Sequence, residues 1–275
     1  MPKNRFPDSR EKRELRRIDS RLIHKFRERM QLPTLSYCGM PSVEFLDVLA
    51  WATELGRVEA VEYDKDTYDD MRLQWKNLGL PIACNCHLDN IYDYVGNTTE
   101  TFDLYNLDFY GGFLNRKKTG GSNATESLRQ LVARHGTKPH SFILITTFQV
   151  RQNVTSEYDQ FIDQLQKLLI GCKNVKENCE QHKKKSSYRL KIGYSNFCWD
   201  LGRAHGFAVR FADIFCYQSS VPLLHFYAEF THTSQPLPSL PSIQALASLA
   251  NKPLKRLVGM VPTVDFRPVQ IEVPD

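Results

Sequence analysis

FAVRFADIFCY at residues 207–217 and PLLHFYAEFT at 222–231 are two strand-like stretches that decide the predicted fold. Both are rich in aromatic and β-branched residues, and a short Gln-Ser-Ser-Val connection joins them. A connection of this length predicts a hairpin, because short turns join antiparallel strands. The preceding chain alternates short strands with amphipathic helices, which favours a parallel sheet covered by helices on both faces.

The element pattern predicts an α/β, Rossmann-like domain with a seven-stranded, mostly parallel sheet and a C-terminal antiparallel hairpin. Five strands are expected before the hairpin, at 34–38, 57–64, 81–87, 102–108 and 140–148. A first helix runs from its cap at Ser9 to Met30, and the others are expected at 42–55, 66–78, 124–135, 155–171, 194–204 and, in the tail, about 241–250. The predicted organisation is a basic helical arm (1–33), the sheet domain (34–231, with a polar insertion at 173–188) and a Pro-rich extension (232–275).

Positive charge is concentrated at the N-terminus. Residues 1–30 hold 11 Lys and Arg against 5 Asp and Glu, a net charge of +6, whereas the remaining residues carry a net charge of −1. This arm is predicted to meet nucleic acid through its phosphates, and the alternative is an ordinary solvated helix face. The Pro-rich extension is a second candidate surface, for the core or a protein partner.

Cysteine usage and hydropathy indicate the compartment. The seven cysteines include no Cys-x-x-Cys pair, so we expect free thiols of a reducing cytoplasm and no metal site. No apolar run is long enough to cross a membrane, and the charged N-terminus does not look like a secretory signal. We therefore expect a cytoplasmic protein with no membrane partner.

In an open parallel sheet, ligands bind at the carboxyl ends of the strands. The first strand ends at Cys38-Gly39, where a glycine permits close approach of a ligand or simply forms a turn. Glu62, with Asp64 in reserve, ends the second strand and could accept hydrogen bonds from ribose hydroxyls or serve as an acid at a helix N-terminus. Asp89 follows the third strand and is either an adenine contact or a turn residue.

The fourth strand ends in Asn106-Leu107-Asp108-Phe109-Tyr110-Gly111-Gly112, the most informative stretch for chemistry. An acid, two rings and flexible backbone at a strand end suit a flat polar group held beside a cofactor. Asp108 could accept a proton or hydrogen bond from an amine, and Tyr110 could stack on a base. The alternative is a Gly-rich turn with packed aromatics.

Three stretches together resemble motifs I, II and IV of class I S-adenosylmethionine-dependent methyltransferases: Ser36-Tyr37-Cys38-Gly39, AVEYD at 60–64 and LDFYGG at 107–112. The fourth motif resembles that of nucleic-acid enzymes, including the tRNA guanine N2-dimethyltransferase group, although Phe109 stands at the usual proline position. The resemblance implies S-adenosylmethionine as cofactor, bound by Cys38, Gly39, Glu62, Asp64, Asp89 and Asn106. It also implies a catalytic set of Asp108, Tyr110 and Asn106, and substrate contacts from Phe109, Tyr110 and Gly111.

The predicted function is therefore methyl transfer to a base amine of RNA or DNA. Two alternatives stay open at this point. One is a small-molecule methyltransferase, and the other is a non-catalytic cofactor-binding or scaffold subunit of a larger assembly.

Overall fold

A nine-stranded sheet forms the centre of the computed structural model, which describes residues 8–109, 113, 123–138, 140–150, 186–218, 221–234 and 255–256. The strands are β1 Leu35–Gly39, β2 Leu55–Glu62, β3 Ala83–Leu88, β4 Leu104–Asp108, β5 Phe142–Gln149, β6 Phe207–Phe211, β7 Phe215–Gln218, β8 Pro222–His232 and β9 Lys255–Arg256. The helices are α1 Arg10–Arg29, α2 Leu46–Ala50, α3 Lys65–Leu78, α4 Ile91–Asn97, α5 Ala124–Thr137 and α6 Ser186–Ala204. Two apolar clusters, one on each face, form the core.

The strand order is β3-β2-β1-β4-β5-β8-β7-β9, and β6 also pairs with β8. Strands β1 to β5 are parallel, whereas β8 runs antiparallel to β5, β6 and β7. The predicted Rossmann-like sheet and its antiparallel C-terminal strands are thus confirmed. The strand order reverses between β1 and β4, so the carboxyl ends of these two strands flank the position where such sheets bind ligands.

The predicted number of seven strands is wrong for two reasons. The stretch 207–217 forms two strands, because the three residues 212–214 lie opposite only two residues of β8. This extra residue interrupts the ladder as a β-bulge does. In addition, β9 pairs with β7 in parallel, within the segment predicted to be a Pro-rich extension.

Helix α1 confirms the prediction of an N-terminal helix and packs its inner face on the sheet. Ser9 caps it, with the Lys12 backbone N–H donating to the Ser9 hydroxyl at 3.3 Å. The apolar residues of its inner face are Leu15, Ile18, Leu22, Ile23 and Phe26, and they belong to the same cluster as β1, β2, β5 and β8. The Trp51 indole N–H also donates to the Arg16 carbonyl at 3.1 Å.

The predicted helix at 42–55 is much shorter in the structure, where α2 covers only Leu46–Ala50. Ser42 (φ 62°) and Phe45 (φ 51°) take left-handed backbone conformations that end helical geometry on the N-terminal side. The Phe45 ring is buried against Trp75, with ring centroids 5.0 Å apart, so tertiary packing overrides the helical pattern. Gly56, expected to close this helix, lies inside β2 instead.

The remaining helices agree with the sequence predictions to different degrees. Helix α3 confirms the helix expected at 66–78, and Gly79 ends it with φ 60°. Helix α4 was not predicted, since seven residues give little periodicity. Helix α6 begins at Ser186, eight residues before its predicted start, within the predicted polar insertion. The helices predicted at 155–171 and near 241–250 lie outside the described residues.

The described residues contain neither a membrane-spanning helix nor a cluster of metal ligands. None of their helices is long and apolar enough to cross a membrane. They also contain no group of three or more His, Cys, Asp and Glu side chains arranged to hold a metal ion. The cysteines among them, Cys38, Cys84, Cys86, Cys198 and Cys216, are free thiols.

Candidate active site

The strand register places a row of side chains across the carboxyl edge of the sheet. Asp108 on β4 is aligned with Thr147 on β5, Thr147 with His225 on β8, and His225 with Phe215 on β7. Side chains at aligned positions share a face, and residues two apart on a strand share it too. Asn106, aligned with Gly39 of β1, therefore lies on the same face as Asp108.

Asp108 ends β4 with its side chain exposed to solvent. The surrounding protein nevertheless desolvates this carboxylate, and the desolvation raises its pKa, although the positive charges of Lys12 and His225 oppose the shift. No described residue donates a hydrogen bond to it. A desolvated carboxylate to which no described residue donates is available to a ligand in the cleft that sheets of this kind form outside their strand ends.

A second carboxylate, Asp47 of α2, lies beside it. The Asn106 side-chain amide donates to Asp47 at 2.8 Å, and the Arg16 guanidinium is 3.5 Å from the same carboxylate. Desolvation raises the pKa of Asp47 against the opposing charge of Arg16, and Asp108 contributes to the increase. Asn106, predicted to belong to both the catalytic and the cofactor-binding sets, orients Asp47 through its amide.

Gly39, at the end of β1, tolerates no side chain. A Cβ atom there would lie 2.5 Å from the Asn106 carbonyl oxygen and 2.5 Å from the Tyr37 hydroxyl. The Cys38 side chain is fully buried, and burial raises the pKa of its thiol. Of the two residues predicted to meet the methionine end of a cofactor, Cys38 can therefore contact a ligand only through its backbone.

The loop after Gly39 differs from the prediction of a helix N-terminus starting near Ser42. The helix begins at Leu46, and its N-cap, Phe45, is buried and makes no side-chain capping bond. Free helix amides are thus not available where the sequence pattern indicated them. Left-handed backbone at Ser42 and Phe45, both non-glycine residues, shapes this loop instead.

The three acids predicted after β2 and β3 have different roles. Asp64 caps α3, accepting from the Thr67 backbone N–H at 2.9 Å and its hydroxyl at 2.7 Å, so its reserve role in ribose binding is replaced by a structural one. Glu62 accepts one bond, from the Asp64 N–H at 2.9 Å, through a single carboxylate oxygen. Asp89 is exposed and accepts from the Asn90 N–H at 2.7 Å. Glu62 and Asp89 remain open to a ligand.

Phe109, predicted to stack on a substrate, is a core residue. Its side chain is 2% exposed and stacks on Tyr92 and Phe148 at centroid distances of 5.2 and 5.4 Å. A ring this deeply buried offers no face to a substrate, so this prediction is wrong. Tyr110 and Gly111, the other residues predicted to contact substrate, lie outside the described residues.

The sequence analysis missed Asp19 and Asp47, and its pattern favoured an ordinary sheet histidine at His225. Asp19 has a usable signal, because it is the one acid on the apolar face of α1. His225 lies in a strand otherwise apolar over 223–228, where a buried imidazole needs a partner. Its partner, Asp19, is 206 positions away in the sequence, so their pairing becomes visible only in the folded chain.

The strand order now identifies the architecture. Five parallel strands in the order 3-2-1-4-5 are followed by antiparallel β8, which lies between β5 and β7. Five strand–helix units followed by antiparallel C-terminal strands are the element order that the sequence predicted. The chain has a Rossmann-like methyltransferase fold.

Several solved structures are similar to this chain, all of them at low sequence identity. Similar structures include yhhF, a proposed methyltransferase of Escherichia coli (7% identity, TM-score 0.42, covering 84% of this chain and 91% of that one). Magnesium protoporphyrin IX methyltransferase of Synechocystis, solved with S-adenosylhomocysteine, has 10% identity and a TM-score of 0.39, covering 78% of this chain and 82% of that one. A proposed RNA methyltransferase of Pyrococcus horikoshii has the same identity and TM-score, with 78% and 83% covered. No family model and no curated protein sequence matches.

Proposed function

We propose that this chain is an S-adenosylmethionine-dependent methyltransferase that methylates an exocyclic amine of a nucleic-acid base. The observation that carries the proposal is Asp108. It is a solvent-exposed carboxylate that receives no hydrogen bond from the part of the chain that the structure describes, and it stands at the carboxyl end of the strand beside the switch point of a class I methyltransferase fold.

The residues at the strand ends suit the chemical parts of this cofactor. Glu62 keeps one carboxylate oxygen without a hydrogen bond from the described residues, which suits the hydroxyls of a ribose. Beside it, Tyr63 and Leu88 are 71% and 46% exposed, an apolar surface for a purine ring. Asp47 and Asp108 make the cleft favourable for a cation, which suits a positively charged sulfonium.

When bound, the cofactor would supply an electrophilic methyl group on sulfur. Asp108 is placed to accept a hydrogen bond from the amine and so to orient the nitrogen toward that methyl. Methylation would leave the nitrogen with an extra proton, which Asp108 would receive and pass to water. Desolvation, by raising the pKa of this carboxylate, makes it a stronger base than an ordinary surface aspartate.

The outer face of α1 supports a nucleic-acid substrate. Five exposed cations are spaced three or four residues apart along it: Arg10, Arg13, Arg17, Arg21 and Lys25. We call this row the basic stripe. It extends over 15 residue steps, or about 22 Å of helix. Within the stripe, Arg13 lies 3.4 Å from Asp8 and Arg17 lies 3.7 Å from Glu14, both in exposed ion pairs. The less exposed acids Asp47, Glu54 and Glu229 engage three other cations of the helix, Arg16, Arg27 and Arg29.

One end of the helix that carries the basic stripe also lies close to Asp108. Lys12, near the start of α1, acts electrostatically on Asp108, so this end of the helix lies by the proposed cleft. A nucleic acid bound along the stripe by its phosphates would have a base within reach of that cleft if the base left its stack.

The first experiment is calorimetric titration of the chain, and of Glu62→Ala, with S-adenosylmethionine. We expect dissociation constants in the micromolar range, about −8 kcal/mol, for the wild type and weaker binding for the variant. Radiolabelled methyl transfer to tRNA, DNA and a metabolite pool then identifies the substrate. Absence of cofactor binding would contradict the proposal, and transfer only to a metabolite would overturn its substrate class.

The basic stripe is tested separately by the salt dependence of nucleic-acid binding. Arg17→Gln combined with Arg21→Gln should weaken binding and reduce the slope of log K against log salt by about 2. The matched control is Arg72→Gln with Lys76→Gln, which removes two exposed cations at the same spacing from α3. Equal effects of the two pairs would count against docking on α1.

A further inference from the structure

Both ring nitrogens of the buried His225 are engaged, each by a different element of the fold. Nε2 lies 3.1 and 3.2 Å from the two carboxylate oxygens of Asp19, on α1. Nδ1 lies 3.2 Å from the Thr147 hydroxyl, on β5. The ring is therefore fixed in position and orientation, two positions along the row from Asp108.

Packing alone does not account for this arrangement. Asp19 is 2% exposed and lies among the apolar residues of α1 that cover the sheet. A buried ion pair gives little net stability, because desolvation offsets most of the attraction between its members. An apolar pair of similar volume would hold α1 on the sheet at least as well, so the pair points to a function.

Negative charge surrounds the imidazole. Desolvation acts to lower the pKa of His225, but the hydrogen-bonded Asp19 and the charges of Asp47 and Asp108 outweigh it, so that this pKa is raised. Among the described residues, the charged and titratable groups facing the row are Lys12, Arg16 and Asp19 from α1, Asp47 from α2, Asp108 from β4, Tyr37 from β1 and Tyr217 from β7. The influence is mutual, because the His225 charge opposes the increase in the pKa of Asp108.

We propose, building on the proposed function, that His225 is a positioning residue whose imidazolium holds Asp108 in the carboxylate form that receives the amine proton. Thr147 separates the two residues in the row, so His225 acts through its charge rather than by contact with the substrate. Asp19 maintains that charge, which makes α1 part of the catalytic apparatus through its inner face as well as a docking surface through its outer face.

The test measures the titration of Asp108 itself, by carbon NMR of its carboxyl group, assigned with Asp108→Asn. In His225→Gln the midpoint should move to higher pH, because a nearby positive charge has been removed. Asp19→Asn should move it in the same direction by less. Tyr217→Phe is the control, since it removes a buried hydroxyl within hydrogen-bonding reach of Thr147 without changing a charge.

An unchanged midpoint in folded His225→Gln and Asp19→Asn, or an equal shift in Tyr217→Phe, would overturn the proposal. If neither charge variant folds, the titration of Asp108 in the wild type tests the proposal instead. Its Asp108 signal should show a second inflection at the His225 midpoint, and the absence of that inflection overturns the proposal equally.

This measurement needs no substrate, so it is independent of whether methyl transfer is found. Where activity is found, the acid limb of the pH profile of kcat should move to higher pH in His225→Gln. A purely structural histidine would lower kcat at every pH and leave the limb in place.

Discussion

Strand β4 has an aspartate at each end, and the two differ in the hydrogen bonds that their carboxylates accept. Asp103, just before the strand, accepts from the Ser36 backbone N–H at 2.7 Å, from the Ser36 hydroxyl at 2.6 Å and from His140 at 2.7 Å. Asp108, the last residue of the strand, is exposed and receives no hydrogen bond from any described residue.

The pKa shifts follow this difference. Desolvation acts to raise the pKa of Asp103, but the hydrogen bonds from His140 and Ser36 outweigh it and lower this pKa. At Asp108 desolvation dominates and the pKa is raised. The same residue type, five positions apart on one strand, is thus structural where donors converge and available to a ligand where they are absent.

The largest expected effect is that of Asp108→Asn on catalysis. If this carboxylate receives the amine proton, the variant should lose about 10²- to 10⁴-fold in kcat, the range typical of a general base. It should fold normally, since no hydrogen bond from a described residue depends on the charge. Single-turnover methyl transfer and thermal unfolding measure the two properties. A loss of less than about tenfold in kcat would show that Asp108, like Asp103 at the other end of β4, has no catalytic role.

Asp103→Asn should have the complementary effect, on stability alone. The amide weakens bonds from Ser36 and His140 that the carboxylate accepts, and a hydrogen bond to a charged group contributes about 1.5–3 kcal/mol. We expect the free energy of unfolding to fall by about 2 kcal/mol, with cofactor affinity unchanged. Urea denaturation and calorimetry measure these quantities. Cofactor binding lost together with stability would show that the amino end of β4 also supports the site.

Ionisation of the two aspartates should change the stability of the fold in opposite directions. A lowered pKa means that Asp103 stabilises the fold above its unfolded pKa, near 3.9, and that this contribution is lost as the pH falls through the folded value. For Asp108, with its raised pKa, ionisation costs stability at neutral pH, and the cost disappears in acid. Asp108→Asn should therefore be slightly more stable than the wild type at pH 7, and urea titrations of both variants from pH 3 to pH 7 test this.

Sequence reasoning located the ends of the central strands well. Gly39 and Glu62 end their strands within two residues of the predicted ends and Asp108 ends its strand as predicted, because parallel strands joined by helices must bring their carboxyl ends to one edge. Local patterns also predicted α1 with its Ser9 cap and α3 with its end at Gly79, since capping depends on residues close in sequence.

The partners of those residues could not be predicted. Asn106 meets Asp47 across 59 positions, and His225 meets Asp19 across 206. Periodicity assigns a residue to a face but not to a neighbour on another element. Phe109 shows the same limit of sequence patterns. An aromatic residue after a strand end gives the same pattern whether it contacts a ligand or packs in the core, as Phe109 does against Tyr92 and Phe148.

The smallest predicted effect tests whether the donors around Asp103 act on its charge. Ser36→Ala removes one hydroxyl that donates to Asp103 and that also accepts from the Asp103 backbone N–H at 3.0 Å, while the Ser36 backbone donor remains. We expect a loss of about 1 kcal/mol in the free energy of unfolding. The same substitution in the Asp103→Asn background should cost less, because contacting residues are not additive and the charge-assisted part of the bond is already gone. Equal costs in the two backgrounds would show that Ser36 stabilises the strand without acting on the carboxylate, and the contrast between the ends of β4 would then rest on His140 and the Ser36 backbone N–H.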